Sequence, residues 1–439
     1  MVRGGRFQKK GRDMKKWSLL LILLVTVAGM AAESGKTFFW QSALYQDWMG
    51  FINGSDELFS RLSTRLNLIF WNRPGSGWTV FLDARNRFAS GEGAENRLLI
   101  YDAHLAFDSL RSNFIISLGQ MNLYDTAGIG QLAGVMAGYK FGRYLAAGAY
   151  GGLANDIYSG KLSSAYQKYG LFARYLGPGA RQFSLSYNQV RFDKQNERQF
   201  VYTSLLLPLG RFLMVFGNGE YELGGNTASA DRLSRLFINA RANLTRYADI
   251  TASYSSGRGM DYHQLLLEQS QDPGLRNSEI ERFYYNKTYG VRLSFTPLQN
   301  LRFHLSRQES EQQDAGIRNH TTGFGFAAGD ILHSRISLYG NYNLNRGDAS
   351  EADTYYLSAA RNFGKISVNL SYANFFNAVR FSAGGTPQVV RIELPKQQTF
   401  SGDLFLALNR TLAVALDYSY VYQADYSEHQ FFIRLILRK

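Results

Sequence analysis

Arg61-Leu62-Ser63-Thr64-Arg65-Leu66-Asn67-Leu68-Ile69-Phe70 is the stretch from which the fold follows. Leu62, Thr64, Leu66, Leu68 and Phe70 project to one side, and Arg61, Ser63, Arg65 and Asn67 to the other. A period of two is that of a β-strand with one apolar and one wet face. The same pattern returns along the chain. Leu236, Ile238, Ala240, Ala242 and Leu244 oppose Arg235, Asn239, Arg241 and Asn243, and Ile336 and Leu338 oppose Arg335, Ser337, Tyr339, Asn341 and Asn343. Leu412, Val414, Leu416, Tyr418 and Tyr420 oppose Asp417 and Ser419, and Phe431, Ile433, Leu435 and Leu437 oppose Gln430, Arg434 and Arg438. Each segment is long enough to cross a hydrocarbon layer when tilted, which takes roughly 9–11 residues.

Breaks of two kinds separate the segments, and the kinds alternate. Tight ones are 73–77, Gly142-Arg143, Gly177-Pro178-Gly179, Pro208-Leu209-Gly210, Pro297-Leu298-Gln299, Phe363-Gly364-Lys365 and Asn409-Arg410, with 108–112, Tyr247 and Gly329-Asp330 as three more. Longer polar breaks lie between them, at 89–96, 153–166, 222–232, 258–285, 310–318 and 377–397. If neighbouring strands are antiparallel, all tight turns fall at one end and all long loops at the other. None of the seven prolines falls inside a strand on this parse, where it would delete a ladder hydrogen bond.

The amino terminus reads as an export signal. Arg3, Arg6, Lys9, Lys10, Arg12, Lys15 and Lys16 precede an apolar run from Leu19 to Val27, and Ala28-Gly29-Met30-Ala31-Ala32 supplies the small residues of a cleavage site. Cleavage is expected near Ala31 or Ala32, which divides the chain into a signal peptide, 1–32, and a mature body, 33–439. Seven of the 48 basic residues and one of the 35 acidic residues leave with the signal, so the body carries +7 (41 − 34) rather than +13. No basic run survives in the body, so nucleic acid is not an expected partner. The chain has no Cys, which removes disulfides, thiolate metal sites, haem attachment and Cys nucleophiles.

Alternation alone does not separate a membrane barrel from a soluble sandwich, whose apolar face is the buried one. The export signal, the uniform segment length and the turn asymmetry favour the barrel. Aromatics near strand ends (Trp71, Trp78, Tyr101, Phe107, Tyr175, Tyr187, Tyr372, Tyr420 and Tyr422) suit an interfacial girdle. The expected fold class is all-β: a single transmembrane antiparallel up-and-down β-barrel of about 22 strands, within a range of roughly 16–22, from 38–47 to 427–437, with no plug domain. Segments 143–152 and 319–328 are the weak ones.

On this pattern the chain resembles the porin-like outer-membrane β-barrels of Gram-negative bacteria. Residues 113–121, Asn-Phe-Ile-Ile-Ser-Leu-Gly-Gln-Met, are similar to a porin strand ending Leu-Gly-Arg/Gln. The chain departs from that pattern at its end, where Leu437-Arg438-Lys439 replaces the terminal aromatic read by the barrel-assembly machinery. The resemblance implies an outer-membrane channel passing small hydrophilic solutes, with membrane lipid, the assembly machinery and the solute as partners. A non-conducting scaffold that works through its external loops is the alternative.

Inward-facing Arg65, Arg85, Arg87, Arg174, Arg235, Arg241, Arg292, Arg302, Arg335 and Arg434 are the expected pore lining, against Asp83, Asp102, Asp249, Asp403 and Asp417. An excess of inward cations makes a lumen that favours anions, because a low-dielectric wall focuses the field; pairing of these Arg with the Asp is the bland reading. Loop 258–285 either narrows the pore or lies on the surface. His104 and Asp102 share a face, but spacing supplies no third partner, so neither an enzyme nor a cofactor or metal site is expected.

Overall fold

The computed structural model describes residues 38–438, except 53–57, 73–76, 90–96, 110, 124–129, 156–161, 225–231, 259–284, 313–315, 349, 383–388 and 425. The proposed signal, 1–32, and nearly all of loop 258–285 lie outside the described residues. The first half of the wall comprises β1 (Phe38–Ile52), β2 (Leu58–Asn72), β3 (Trp78–Ala89), β4 (Arg97–Asp108), β5 (Phe114–Asn122), β6 (Gln131–Phe141), β7 (Leu145–Asn155), β8 (Leu162–Leu176), β9 (Gln182–Phe192), β10 (Gln195–Leu209) and β11 (Leu213–Gly224). The second half comprises β12 (Leu233–Asn243), β13 (Ala248–Arg258), β14 (Tyr285–Leu298), β15 (Leu301–Gln312), β16 (Ile317–Ala328), β17 (Ile336–Gly347), β18 (Ser350–Asn362), β19 (Ile366–Ser382), β20 (Val389–Glu393), β21 (Gln397–Ala407), β22 (Leu412–Gln423) and β23 (Tyr426–Arg438).

Consecutive strands pair antiparallel, and β23 returns to β1, with Asp47 opposite Arg434 and Leu44 opposite Leu437. The ring is therefore closed. β20 and β21 share one partner: β19 pairs with β20 through 378–382 and with β21 through 366–375. They form a single crossing, interrupted at Leu394-Pro395-Lys396, so 23 strands make 22 crossings (23 − 1). Closure has a physical cause. In hydrocarbon an unpaired backbone N–H or C=O costs several kcal/mol, and a ring has no edge.

The two faces follow the alternation. Tyr45, Asp47, Arg65, Asn67, Arg85 and Arg434 line one concave cavity, so their parity faces the interior. The opposite parity carries large apolar side chains with half or more of their surface open, among them Leu118 (55%), Leu171 (60%) and Leu370 (60%). A closed wall with this continuous apolar exterior is stable against lipid and not against water. Aromatics gather on that exterior at the short-turn end: Trp78 lies 4.9 Å from Phe107, Phe114 5.5 Å from Tyr139, and Tyr139 5.1 Å from Phe141. Tyr101 and Trp71 are exceptions to the expected girdle. A bulge between Asp83 and Ala84 turns Tyr101 toward Arg65, 5.4 Å away, and Trp71 lines the interior cavity.

Of the weak segments, 319–328 falls within one strand, β16, and 143–152 belongs to β7 except for 143–144, which lie in the turn before it. Turn asymmetry holds with exceptions. At the long-loop end, 193–194, 348–349 and 424–425 are only two residues each. Asp193 and Lys194 both have positive φ (45° and 68°), as a two-residue hairpin of right-handed twist requires. Pro208 and Pro297 lie inside β10 and β14, each one residue from the short-turn end, rather than beyond them. Pro297 falls where the β14–β15 register shifts, so no regular ladder bond is lost there.

The inner wall of β5–β8 is packed rather than wet. Ile115, Met121, Leu132, Met136, Tyr150 and Phe172 form a buried apolar cluster. Glycines make room for it. A Cβ at Gly148 would sit 2.2 Å from the Ala137 carbonyl oxygen and 2.7 Å from the tip of Phe172. Gly148→Val is therefore expected to destabilise the barrel by about 1–3 kcal/mol through overpacking. Loss of heat-modifiable migration at a lower temperature than in the wild type checks it.

Candidate functional site

Asp47 on β1 is the organising residue of the closing seam. Its carboxylate is nearly buried and sits between two strands' arginines. Arg434 on β23 donates to it twice, Nε to Oδ1 at 2.7 Å and Nη2 to Oδ2 at 3.2 Å. Arg85 on β3 reaches across β2 to the same Oδ2 at 3.4 Å, and its Nη2 also donates to Ser63 Oγ at 2.9 Å. Small Ser63, opposite both Asp47 and Arg87, leaves the space that this reach needs. Beside it, Arg65 grips Asp83 bidentately at 2.8 and 2.6 Å. Asp47, Arg65, Arg85 and Arg434, with Arg410 and Arg438 from the short-turn rim, line a cavity of about 940 Å³.

A second group repeats the arrangement. Asp249 on β13 accepts from Arg241 on β12 at 3.2 Å and from Arg302 on β15 at 3.0 Å. Arg292 on β14 occupies the same face, opposite Thr251 and Ser306. In both groups one carboxylate serves two guanidiniums, so each retains a net positive charge. β2 and β13 stand eleven crossings apart (13 − 2) in a ring of 22, so the strands of the two groups lie in opposite halves of the wall, with Asp249 beside the short turn and Asp47 farther along its strand.

The other expected residues are placed as follows. Arg174 lies 3.5 Å from Asp108, which also contacts Lys140. Arg87 shares the parity of Arg85, and its Nε is buried with no hydrogen-bond partner. Arg235 stands opposite Glu220. Arg335 stands apart. It precedes β17 in the connection 329–335, with positive φ (59°), and its backbone N–H donates to Asp330 at 2.8 Å. The alternation of β17 had been extended one residue too far at that point. Asp403 accepts from Asn369 at 2.8 Å and faces Asp417. His104 contacts Asp102 and stacks on Phe81 at 4.6 Å between centroids. Among the described residues no group of three or more His, Asp or Glu is placed to hold a metal ion.

One inner-wall cluster was not legible from alternation. Arg198 on β10 bridges Glu222, at 2.5 Å, and Glu220, at 2.8 Å, and its Nη2 donates to Ser234 at 3.1 Å. Phe200 packs under the guanidinium at 4.1 Å, and Lys168 comes within 6.0 Å of the same ring. Register shifts between Asn196 and Arg198 and between Glu220 and Tyr221 defeat the strict period here. Asp47 was missed for a different reason. It is a lone acid in an aromatic-rich segment, and its importance depends on β3 and β23.

No family model matches the chain, and no curated protein is similar to it. Solved structures of similar architecture are OpdO of Pseudomonas aeruginosa (10% identity, TM-score 0.45, 92% of this chain and 97% of that one), OccAB1 of Acinetobacter baumannii (8%, 0.45, 91% and 96%) and the outer membrane protein opdK of Pseudomonas aeruginosa (11%, 0.43, 91% and 99%).

Proposed function

We propose that this protein is an outer-membrane channel for small hydrophilic solutes, with a preference for anions. The observation that carries the reading is the pair of Arg–Asp–Arg groups in opposite halves of the wall, Arg85–Asp47–Arg434 and Arg241–Asp249–Arg302. Each is built on the concave side of a low-dielectric wall, where like charges on opposite sides reinforce one another. Most of the inward arginines are paired, so selectivity comes from the surplus and not from the raw count. Arg65, Arg87, Arg174, Arg235 and Arg292 extend the cationic lining around the ring. The basic flank and apolar run of residues 1–32 supply the export this location needs, with cleavage near Ala31 or Ala32.

The test is conductance. Purified barrel in a planar bilayer is expected to give ohmic steps, and in a KCl gradient the reversal potential is expected to show chloride preference. The preference should shrink as ionic strength rises, since screening shortens to ~3 Å at 1 M salt. Marked cation preference would overturn the assignment of the arginines. Electrical silence would favour the scaffold reading.

A further inference from the structure

Charge on the connections is polarised along the barrel axis. Of the ten short-turn connections, only Gln299-Asn300 lacks a Lys or Arg, and together they carry nine such residues against the single acid Asp330. The eleven connections at the other end carry sixteen Asp or Glu against five Lys or Arg. The lumen does not require such a collar, because most of these cations are exposed at the turns and lie outside the inner-wall groups.

A second observation says where the cations sit. Arg143 lies over Tyr144 at 5.6 Å and Arg246 over Tyr247 at 4.4 Å, and Arg361, at the turn-side end of β18, lies over Phe363 at 4.5 Å. Those rings are themselves exposed, and Tyr144 stands 6.3 Å from Tyr175 on the lipid-facing side. Phe212, beside Arg211, is 74% open. An exposed ring with a guanidinium beside it is the chemistry of the membrane interface. The ring enters the edge of the hydrocarbon and the cation stays at phosphate level.

The turns are also hydrogen-bonded to their neighbours. Tyr144 O accepts from Leu176 N at 2.8 Å, Phe212 O from Asn243 N at 2.7 Å, Tyr247 O from Thr296 N at 2.7 Å, and Lys365 O from Ala407 N at 2.8 Å. Each of these turns is thus bonded to the next hairpin.

From these observations we infer that the short-turn rim is a docking collar for anionic phospholipid headgroups of the leaflet it borders. The collar rests on the transmembrane fold and does not depend on conduction. Its chemistry is a lipid phosphate held by guanidinium, with the neighbouring ring against the upper acyl chain. The collar thus draws anionic lipid to the short-turn end of the barrel.

The experiment is native mass spectrometry of the intact barrel, released from bilayers with equal amounts of phosphatidylglycerol and phosphatidylcholine. Wild type is expected to retain phosphatidylglycerol over phosphatidylcholine by about fivefold or more, the effect of even one headgroup-level cation. The triple variant Arg143→Gln, Arg211→Gln, Arg246→Gln is expected to lose most of that ratio. The corresponding triple Lys variant should keep it. Heat-modifiable migration shows that each variant is folded. Equal retention of the two lipids by wild type, or an undiminished ratio in the Gln variant, overturns the collar. A Gln variant that shifts the reversal potential while wild type shows no lipid preference also overturns it, and assigns the rim to solute passage. A barrel silent in the bilayer that still selects phosphatidylglycerol leaves the collar standing and removes only the channel.

Discussion

Asp47→Ala is expected to destabilise the barrel at its seam. The substitution leaves Arg85 and Arg434 facing each other across β1–β3 and β23 with no carboxylate between them. Breaking a buried pair by removing one partner costs roughly 3–5 kcal/mol. Here Asp47 is nearly buried while Arg434 is 38% open, so water screens part of the loss and about 1–3 kcal/mol is the fitting scale. The seam is where this matters most, since β1 and β23 join the two ends of the wall and their pairing alone closes the ring. The measurement is the temperature at which heat-modifiable migration is lost, compared with Asp83→Ala. That control removes the partner of Arg65, whose side chain is 44% open and which leaves the seam pairing untouched. Equal behaviour of the two variants would remove the special role of Asp47. Asp47→Asn should recover part of the stability, because its amide oxygen still accepts one guanidinium.

The second large effect is on selectivity. If the proposed anion preference holds, Arg241→Glu with Arg302→Glu is expected to turn it into cation preference. Each change moves the local charge by two, and both residues share one acceptor, Asp249. The wall then carries three carboxylates where it had one carboxylate and two guanidiniums. Fixed charge of one sign on the concave wall sets which ion enters. Arg335→Gln is the control, because that residue lies in the rim connection before β17, and it should leave the reversal potential within the wild-type range. Retained chloride preference in the double Glu variant would place the selectivity elsewhere on the wall.

Comparison of β2 with β10 shows how far alternation carries. In β2 every residue from Arg61 to Phe70 keeps the expected parity, and Arg65 finds Asp83 on the face assigned to both. In β10 the ladder slips between Asn196 and Arg198, so the most heavily engaged cation of that wall follows no simple count. The bulge at Asp83–Ala84 acts likewise on Tyr101, an expected girdle residue that turns toward the lumen. The polar break 310–318 is shorter than its sequence suggests, because β15 runs on to Gln312 and β16 begins at Ile317. Their polar sequence above the apolar belt resembles loop chemistry, while the hairpin ladder continues regardless. The packed strip over Gly148 had a signal in the sequence, since Gly134 and Gly138 of β6, and Gly148 and Gly152 of β7, recur four residues apart on one face. Its meaning required Phe172 on the next strand.

What the residues determine by themselves is local: a period of two, segment lengths near a tilted membrane span, and short basic turns alternating with longer acidic connections. Those properties depend on near neighbours in the chain, so they specify an amphipathic wall and its polarity. The tertiary structure decided which carboxylate serves which arginine, and which two groups lie in opposite halves of the wall. Those relations join residues such as Asp47 and Arg434, which lie 387 positions apart and meet only when the ring closes. Backbone pairing sets that distance to one strand spacing, and no local pattern encodes it.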